Sequence, residues 1–357
     1  MDNTMTRTNQ SLPFLTAGIS GIGGVVRHQP EDFRVEERPL YLPCGQGEHL
    51  YLKVTKRGLS TPDLVSHVAS VLGVKAKCIG VAGLKDARAV TTQMMSVQGV
   101  DTDAIARLQF DDRILAIDVL GRHRNRLRTG HHSGNRFELV IRDVNAAAAA
   151  SVPAILEALA GRGVPNYFGP QRQGRSGLNH EKGAALLRDA RRRARMPRQQ
   201  RLWYLHAYQS LLFNRILAAR LGRIDRILVG DWAMKHVNGA CFQVETAEIE
   251  QARADQFEIS PTGPLFGSRS PWASGEPGEL ERAVVAAVGE TPESLSEAAA
   301  ACGFRGERRP LRVRPEDLTW FLNGTTLKLS FSLPPGAYAT SVLRELMKSD
   351  TLGEGRP

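Results

Sequence analysis

Cysteine is scarce in this sequence: Cys44, Cys78, Cys241 and Cys302 lie far apart and form no Cys-x-x-Cys pair. Such spacing offers neither a zinc site nor a disulfide framework, so no metal is expected, and free thiols fit a reducing compartment. No apolar run reaches the length of about 18 residues that spans a bilayer. The start, Met1-Asp2-Asn3-Thr4, lacks the charged-then-apolar pattern of a secretion signal. These absences point away from a membrane and toward the cytoplasm. Acidic residues are also in short supply, 37 against 47 lysines and arginines, for a formal charge of +10. A surplus of that size draws a polyanion, nucleic acid before a membrane surface.

What is present is ordinary globular composition, 42% hydrophobic and 24% charged, which excludes wholesale disorder. A chain of 357 residues has room for two domains. Leu50, Leu52 and Val54 alternate with Tyr51, Lys53 and Thr55, as in a half-buried strand. A helix is expected next, with Thr61 as its cap, Pro62 in its first turn, an apolar stripe of Leu64, Val65, Val68, Val71 and Leu72, and Gly73 as its stop. Alternation recurs at residues 136–142 (Phe137, Leu139, Ile141) and 326–333 (Leu327, Leu329, Phe331), and predicts two more strands. After Pro334-Pro335-Gly336, Val342, Leu343, Leu346 and Met347 mark a short amphipathic helix. One-sided strands separated by helices and turns predict an α+β fold with a largely antiparallel sheet. From about 163 to 313 the periodicity is mostly helical, with connections such as Ser260-Pro-Thr-Gly-Pro264, and this stretch reads as a second unit inserted into the first. The expected divisions are 1–162, 163–313 and 314–357. The alanine run at 146–150 reads as the start of a helix continuing through Ile155, Leu156 and Leu159.

The richest stretch for chemistry is Val81-Ala-Gly-Leu-Lys-Asp-Ala-Arg-Ala-Val-Thr-Thr-Gln93. A glycine hinge is followed by Lys85, Asp86 and Arg88 in what reads as a loop. A carboxylate among cations is held ionised, which suits a nucleophile better than a general acid. A surface loop with a local ion pair satisfies the same pattern.

Ala82, Gly83, Lys85, Asp86, Ala89, Val90, Thr91 and Gln93 resemble, in order, the signature of the TruD family of tRNA pseudouridine synthases. Further resemblances follow in the family's order: Pro30-Glu31-Asp32-Phe33, Gly134-Asn135-Arg136-Phe137, Val164-Pro-Asn-Tyr-Phe-Gly-Pro-Gln-Arg172, then Pro335-Gly336, Ala339-Thr340-Ser341-Val342 and Arg344-Glu345-Leu346. They span nearly the whole chain. The resemblance implies a pseudouridine-synthase-like catalytic domain interrupted by an inserted α/β domain peculiar to this family, at 163–313. It implies isomerisation of a uridine in tRNA, typically at position 13, with no redox carrier, metal or nucleotide cofactor. No obligatory protein partner is implied.

By resemblance Asp86 is the nucleophile, attacking either the sugar or the base ring. Chemistry on a stacked base requires that the base leave the helix, so an aromatic surface and polar groups must receive it. Asn135 and Phe137 occupy matching family positions, two residues apart and therefore on one strand face. From the strand alone Phe137 reads as a core residue, and Phe33 reads as core or pocket wall as readily as a stacking surface. Lys85 is a further substrate-binding candidate. Arg27 stands where the family often has lysine; it is expected to pair with Asp86, hold a phosphate, or lie solvated. Gln173 stands where the family usually has an aromatic residue.

Arg122, Arg124, Arg126 and Arg128 recur at every second position, so an extended segment would present four guanidinium groups on one face, as a phosphate rail or as a charged strand edge. Seven arginines between 188 and 201 would spread around a helix and attract polyanions in general. Tyr167, Phe168 and Arg172 read as structural. Trp203, Tyr204, His206 and Tyr208 read as core packing, and His131-His132 as a solvated pair. Two rival functions compete: nucleic-acid binding without catalysis, which leaves the Lys85-Asp86 loop unexplained, and a nucleotide-dependent methyltransferase, for which Gly18, Gly21, Gly23 and Gly24 do not fit Gly-x-Gly-x-x-Gly.

Overall fold

The computed structural model describes residues 11–110, 112–174 and 176–350. The opening tetrapeptide weighed as a secretion signal lies outside them, as do the side chains of Arg192 and Arg193. The chain forms two compact units, one gathering residues 21–152 and 315–339, the other residues 11–20, 153–314 and 340–350.

The first unit is built on a nine-stranded sheet. Its strands are β1 (Val25–Val26), β2 (Phe33–Pro39), β3 (His49–Arg57), β4 (Ile79–Val81), β5 (Val90–Gln98), β6 (Ile114–His123), β7 (His132–Arg142), then Glu316–Asn323 and Thr326–Leu333. From one edge the order runs Glu316–Asn323, Thr326–Leu333, β7, β2, β5, β3, β6, with β1 beside β7 and β4 beside β5. The β2–β5 pairing is parallel and its neighbours are antiparallel. This is the largely antiparallel α+β sheet that the alternation predicts.

Register places side chains in rows across one face. Phe331 pairs with Phe137, Phe137 with Val35, Val35 with Thr91, and Thr91 with Lys56. One row along, Asn135 pairs with Glu37. Toward β3 the same face is apolar: Leu50, Leu52, Val54, Met95 and Val97 are buried against Leu64 and Val68 of helix α1 (Thr61–Leu72). α1 ends as expected at Gly73, whose φ of 67° suits glycine because no Cβ is strained there. The alanine run contributes a 3₁₀ turn, Ala149–Ser151, and the α-helix itself starts at Val152.

The second unit holds helices Asn179–Arg188, Ala190–Arg195, Arg198–Arg220, Ala247–Asp255, Gly275–Ala286 and Pro292–Ala301. It also holds a four-stranded sheet ordered Cys241–Gln243, Trp232–Lys235, Ile259–Leu265, Glu307–Pro310. Ser260-Pro-Thr-Gly-Pro264, expected as a connection, is therefore an inner strand and is buried throughout. Tertiary contacts override the local signal: the Thr262 hydroxyl donates to the Trp232 carbonyl at 2.6 Å, and Arg308 Nε donates to that hydroxyl at 2.9 Å. The amphipathic C-terminal segment forms the helix Ala339–Met347. Among the described residues no helix is long and apolar enough to cross a membrane.

Gly134, at the head of the Gly134-Asn135-Arg136-Phe137 motif, has a φ of 152°, and a Cβ there would lie 2.4 Å from the Leu333 carbonyl oxygen. A methyl group would drive the two strands apart beside Asn135. Gly134→Ala is expected to destabilise the protein by about 1–3 kcal/mol, read as a lower urea midpoint with an unchanged slope. An unchanged midpoint would contradict that close approach.

Candidate active site

The loop between β4 and β5 carries Asp86, and its conformation is set from both ends. Ala82 and Ala89 are fully buried, and the Ala82 carbonyl accepts the Gly130 N–H at 2.8 Å. Between them Lys85 turns inward. Its Nζ lies 2.7 Å from Glu37 Oε2 and donates to Asn135 Oδ1 at 2.8 Å, with the Lys85 and Glu37 side chains 6% and 0% exposed. Glu37 is held in turn, because its Oε1 accepts the Met94 N–H at 3.0 Å. The Lys85 backbone N–H donates to Thr61 Oγ1 at 2.8 Å, and that hydroxyl donates to Gln93 Oε1 at 2.9 Å.

Thr61 is thus not the cap of α1. Ser60 takes that place, its side chain accepting the Asp63 N–H at 3.3 Å. This frees the Thr61 hydroxyl to couple the loop to α1 and β5.

Asp86 faces outward, its side chain 36% exposed, and both oxygens are engaged. Oδ2 is 2.8 Å from Arg27 Nη2, and Oδ1 accepts the Arg88 backbone N–H at 2.9 Å. Arg27 therefore pairs with the carboxylate, one of the three expectations for it. Its guanidinium carbon also lies 4.2 Å from the centre of the Phe33 ring, a cation–π contact that joins carboxylate and aromatic wall. Arg27 has a φ of 58°, a left-handed backbone that costs a non-glycine residue about 1 kcal/mol or more. Its two side-chain anchors hold it there.

Behind Arg27 the rings form a ladder. Phe33 meets Phe137 edge-on at 6.4 Å, and Phe137 stacks on Phe331 at 5.4 Å with planes inclined by 30°. Phe33, Phe137 and Phe331 are all buried. Asn135, on the same face as Phe137, gives its carboxamide oxygen to Lys85, and among the described residues no partner takes its amide N–H groups.

Several members of this cluster escape motif reading. Lys56 is fully buried, pairs in register with Thr91, and its Nζ donates to the Leu59 carbonyl just before α1. Burial pushes its ammonium down to about 8, with Lys85 adding to the effect and Asp86 opposing it. Thr91 Oγ1 and Gln93 Nε2 are buried without a hydrogen-bond partner among the described residues. Glu37 and Lys56 were detectable by period: each continues a run of inward residues, Phe33-Val35-Glu37 and Leu50-Leu52-Val54-Lys56, where a charge is out of place.

The other candidates lie elsewhere. Arg122, Arg124, Arg126 and Arg128 do not share one strand face, because β6 ends at His123 and the chain then bends. Leu127 is buried, its N–H donating to Ser96 Oγ at 2.9 Å. Arg122 donates to the Val100 carbonyl, Arg124 to Gln46, and Arg126 to the Ile79 carbonyl, while Arg128 is exposed. The two histidines are half-buried rather than solvated: His131 Nδ1 bonds the Tyr41 hydroxyl at 2.7 Å, and burial, then Lys85, lowers the pKa of His132. In the second unit Tyr208 is core, but Trp203 is 64% exposed, against the expected packing. The arginine-rich segment is not one helix, being broken between Arg188 and Ala190 and again before Arg198. Phe168 packs against Phe213 and under Arg309, and Gln173 makes polar contacts, donating to the Ala207 carbonyl and bonding His180.

The site thus gathers a buried polar cluster, one outward carboxylate and an aromatic ladder. The model of the tRNA pseudouridine synthase D (TruD) family matches residues 11–197 and 190–346, two stretches that meet inside the arginine-rich segment. A tRNA pseudouridine synthase D of Thermus thermophilus is 45% identical over 344 residues, covering 95% of this chain and 93% of its own. That of Syntrophotalea carbinolica is 40% identical over 398 residues, covering 94% and 99%. A solved structure assigned to TruD, from Methanosarcina mazei, superposes with a TM-score of 0.80 at 26% identity, covering 95% of this chain and 97% of that one. The chain belongs to the TruD family.

The depressed Lys56 makes a prediction about pH. Between about 8 and the ordinary lysine value of 10.5 the unfolded chain binds more protons than the folded one, so this group makes stability rise with pH across that window. Lys56→Met should flatten the slope of unfolding free energy there. An identical slope in both proteins would mean that the ammonium is not desolvated.

Proposed function

We propose that this chain isomerises a uridine of tRNA, at position 13, to pseudouridine, with Asp86 as the covalent partner and no cofactor. The observation that carries the reading is the Asp86 carboxylate held at 2.8 Å by an Arg27 that also lies on the Phe33 ring. A cation on one oxygen and a backbone N–H on the other orient the carboxylate, as a nucleophile requires.

In the step envisaged, an Asp86 oxygen bonds the nucleoside, at the ribose C1′ or at C6 of the base. The bond from N1 to C1′ breaks, uracil turns, C5 bonds C1′, the C5 proton leaves and N1 takes one up, and Asp86 is released unchanged. Substrate and product are isomers, so the balance calls for no oxidant, reductant or donor group. The turned base must be kept in place while it is detached. Phe33 and Phe137 supply the apolar wall for it, and the amide N–H groups of Asn135 are suited to a uracil carbonyl oxygen. Lys85 acts through Asn135 and the loop rather than as a free cation.

Binding without catalysis accounts for the +10 charge but not for a carboxylate at the centre of the cluster, which opposes a phosphate. Arg122, Arg124, Arg126 and Arg128 are candidates for the RNA backbone, and the compact unit that gathers residues 153–314 supports an inserted domain over 163–313. A tRNA substrate fits action in the cytoplasm.

Asp86→Asn keeps the shape of the side chain and removes its charge. Pseudouridine formation on purified tRNA with nothing added is expected to fall by on the order of a thousandfold or more, with tRNA affinity changed by no more than a few-fold. Undiminished turnover would rule out the assignment.

A further inference from the structure

Leu84 immediately precedes the Lys85-Asp86 pair and is 78% exposed. Large apolar side chains on loops are common at partial exposure, but this one stands on a loop that is not free to fold it away. Ala82 is fully buried, the Lys85 N–H is tied to Thr61, and the Lys85 side chain is locked between Glu37 and Asn135. Exposure alternates along the segment. Leu84 is outward, Lys85 is inward at 6%, and Asp86 is outward at 36%. Leucine and carboxylate therefore share the solvent side of the loop, on either side of a buried strut. Whatever brings a nucleoside to Asp86 brings its neighbours to Leu84.

That nucleoside arrives stacked. Taking a base out of its stack costs a few kcal/mol, and proteins that open a base step commonly insert an apolar side chain such as leucine into the gap. A leucine has no hydrogen-bonding groups to satisfy between two base faces, so it fills the space without favouring a sequence. We propose that Leu84 is the wedge that enters the base stack of the RNA as the target uridine leaves it for Asp86. The proposal rests on the isomerase reading above and adds to it the group that keeps the vacated position closed.

The test uses the full-length protein and a tRNA carrying 2-aminopurine beside the target uridine, a base whose fluorescence rises when it is unstacked. Asp86→Asn, which blocks chemistry, is expected to raise the fluorescence on binding, and Leu84→Ala combined with Asp86→Asn to lose most of that rise while affinity stays within a few-fold. In the otherwise native protein, Leu84→Ala should lower kcat at saturating tRNA by about tenfold to a hundredfold, and Leu84→Met should restore most of it. Unchanged kcat in Leu84→Ala would overturn the wedge. So would a lower kcat with the fluorescence rise intact, which would make Leu84 a loop-shaping residue, and so would no rise with Asp86→Asn alone. A native protein that leaves tRNA unmodified would instead overturn the isomerase reading itself, a result distinct from each of these.

Discussion

Everything at the site depends on one buried ammonium. Lys85 lies between Glu37 and Asn135 in the sheet's interior, and its inward turn is what leaves Asp86 and Leu84 facing out. Taking a lysine and a glutamate out of water is expensive, and their attraction offsets that cost only when the geometry is good and the remaining polar atoms are satisfied. Here Glu37 has a second bond from the Met94 N–H, and Lys85 a second acceptor in Asn135. A pair of this kind contributes little to net stability compared with well-packed apolar side chains, but removing one partner leaves an uncompensated buried charge and is costly by roughly 3–5 kcal/mol. Its value is positional. It sets which of three consecutive side chains points inward.

From that strut the rest follows in layers. Thr61 and Gln93 fix the loop's backbone to α1 and β5, Arg27 fixes the carboxylate to the aromatic wall, and the Phe33, Phe137 and Phe331 ladder supports Arg27 from behind. The sheet brings these groups together from segments far apart in the chain, and it does so by register alone: Phe331 is opposite Phe137, and Glu37 is opposite Asn135. The polar side chains of Glu37, Lys56, Thr91 and Gln93 are buried on this face beside the apolar cluster that α1 packs against. That conflict between fold and solvation is expected where chemistry is performed.

Much of this was legible in the residues. Strict alternation in 326–333 and around 136–142 reports strands because one face is buried, whereas the charges around Asp86 fit a surface ion pair as well as a nucleophile, and only the resemblance to the family signature singles it out. What escaped was decided by tertiary contacts. Thr61 looks like a helix cap because Pro62 follows it, yet Ser60 caps the helix and Thr61 holds the loop. Ser260-Pro-Thr-Gly-Pro264 carries every local mark of a turn, and only the packing around it makes it an inner strand. The arginines from 122 to 128 alternate on paper, but a strand ending at His123 dissolves the shared face. Lys56 and Glu37 are instructive in the opposite sense, since strand period alone would have placed both charges inside.

The central claim is that Lys85 and Glu37 act as one unit to aim Asp86, and a double-mutant cycle on kcat tests it. Lys85→Met and Glu37→Leu should each lower kcat at saturating tRNA, and the double variant should lose little more than either alone, a coupling of about 1–3 kcal/mol. Losses that simply add would show that the two side chains act independently, and the strut would no longer explain how the carboxylate is held.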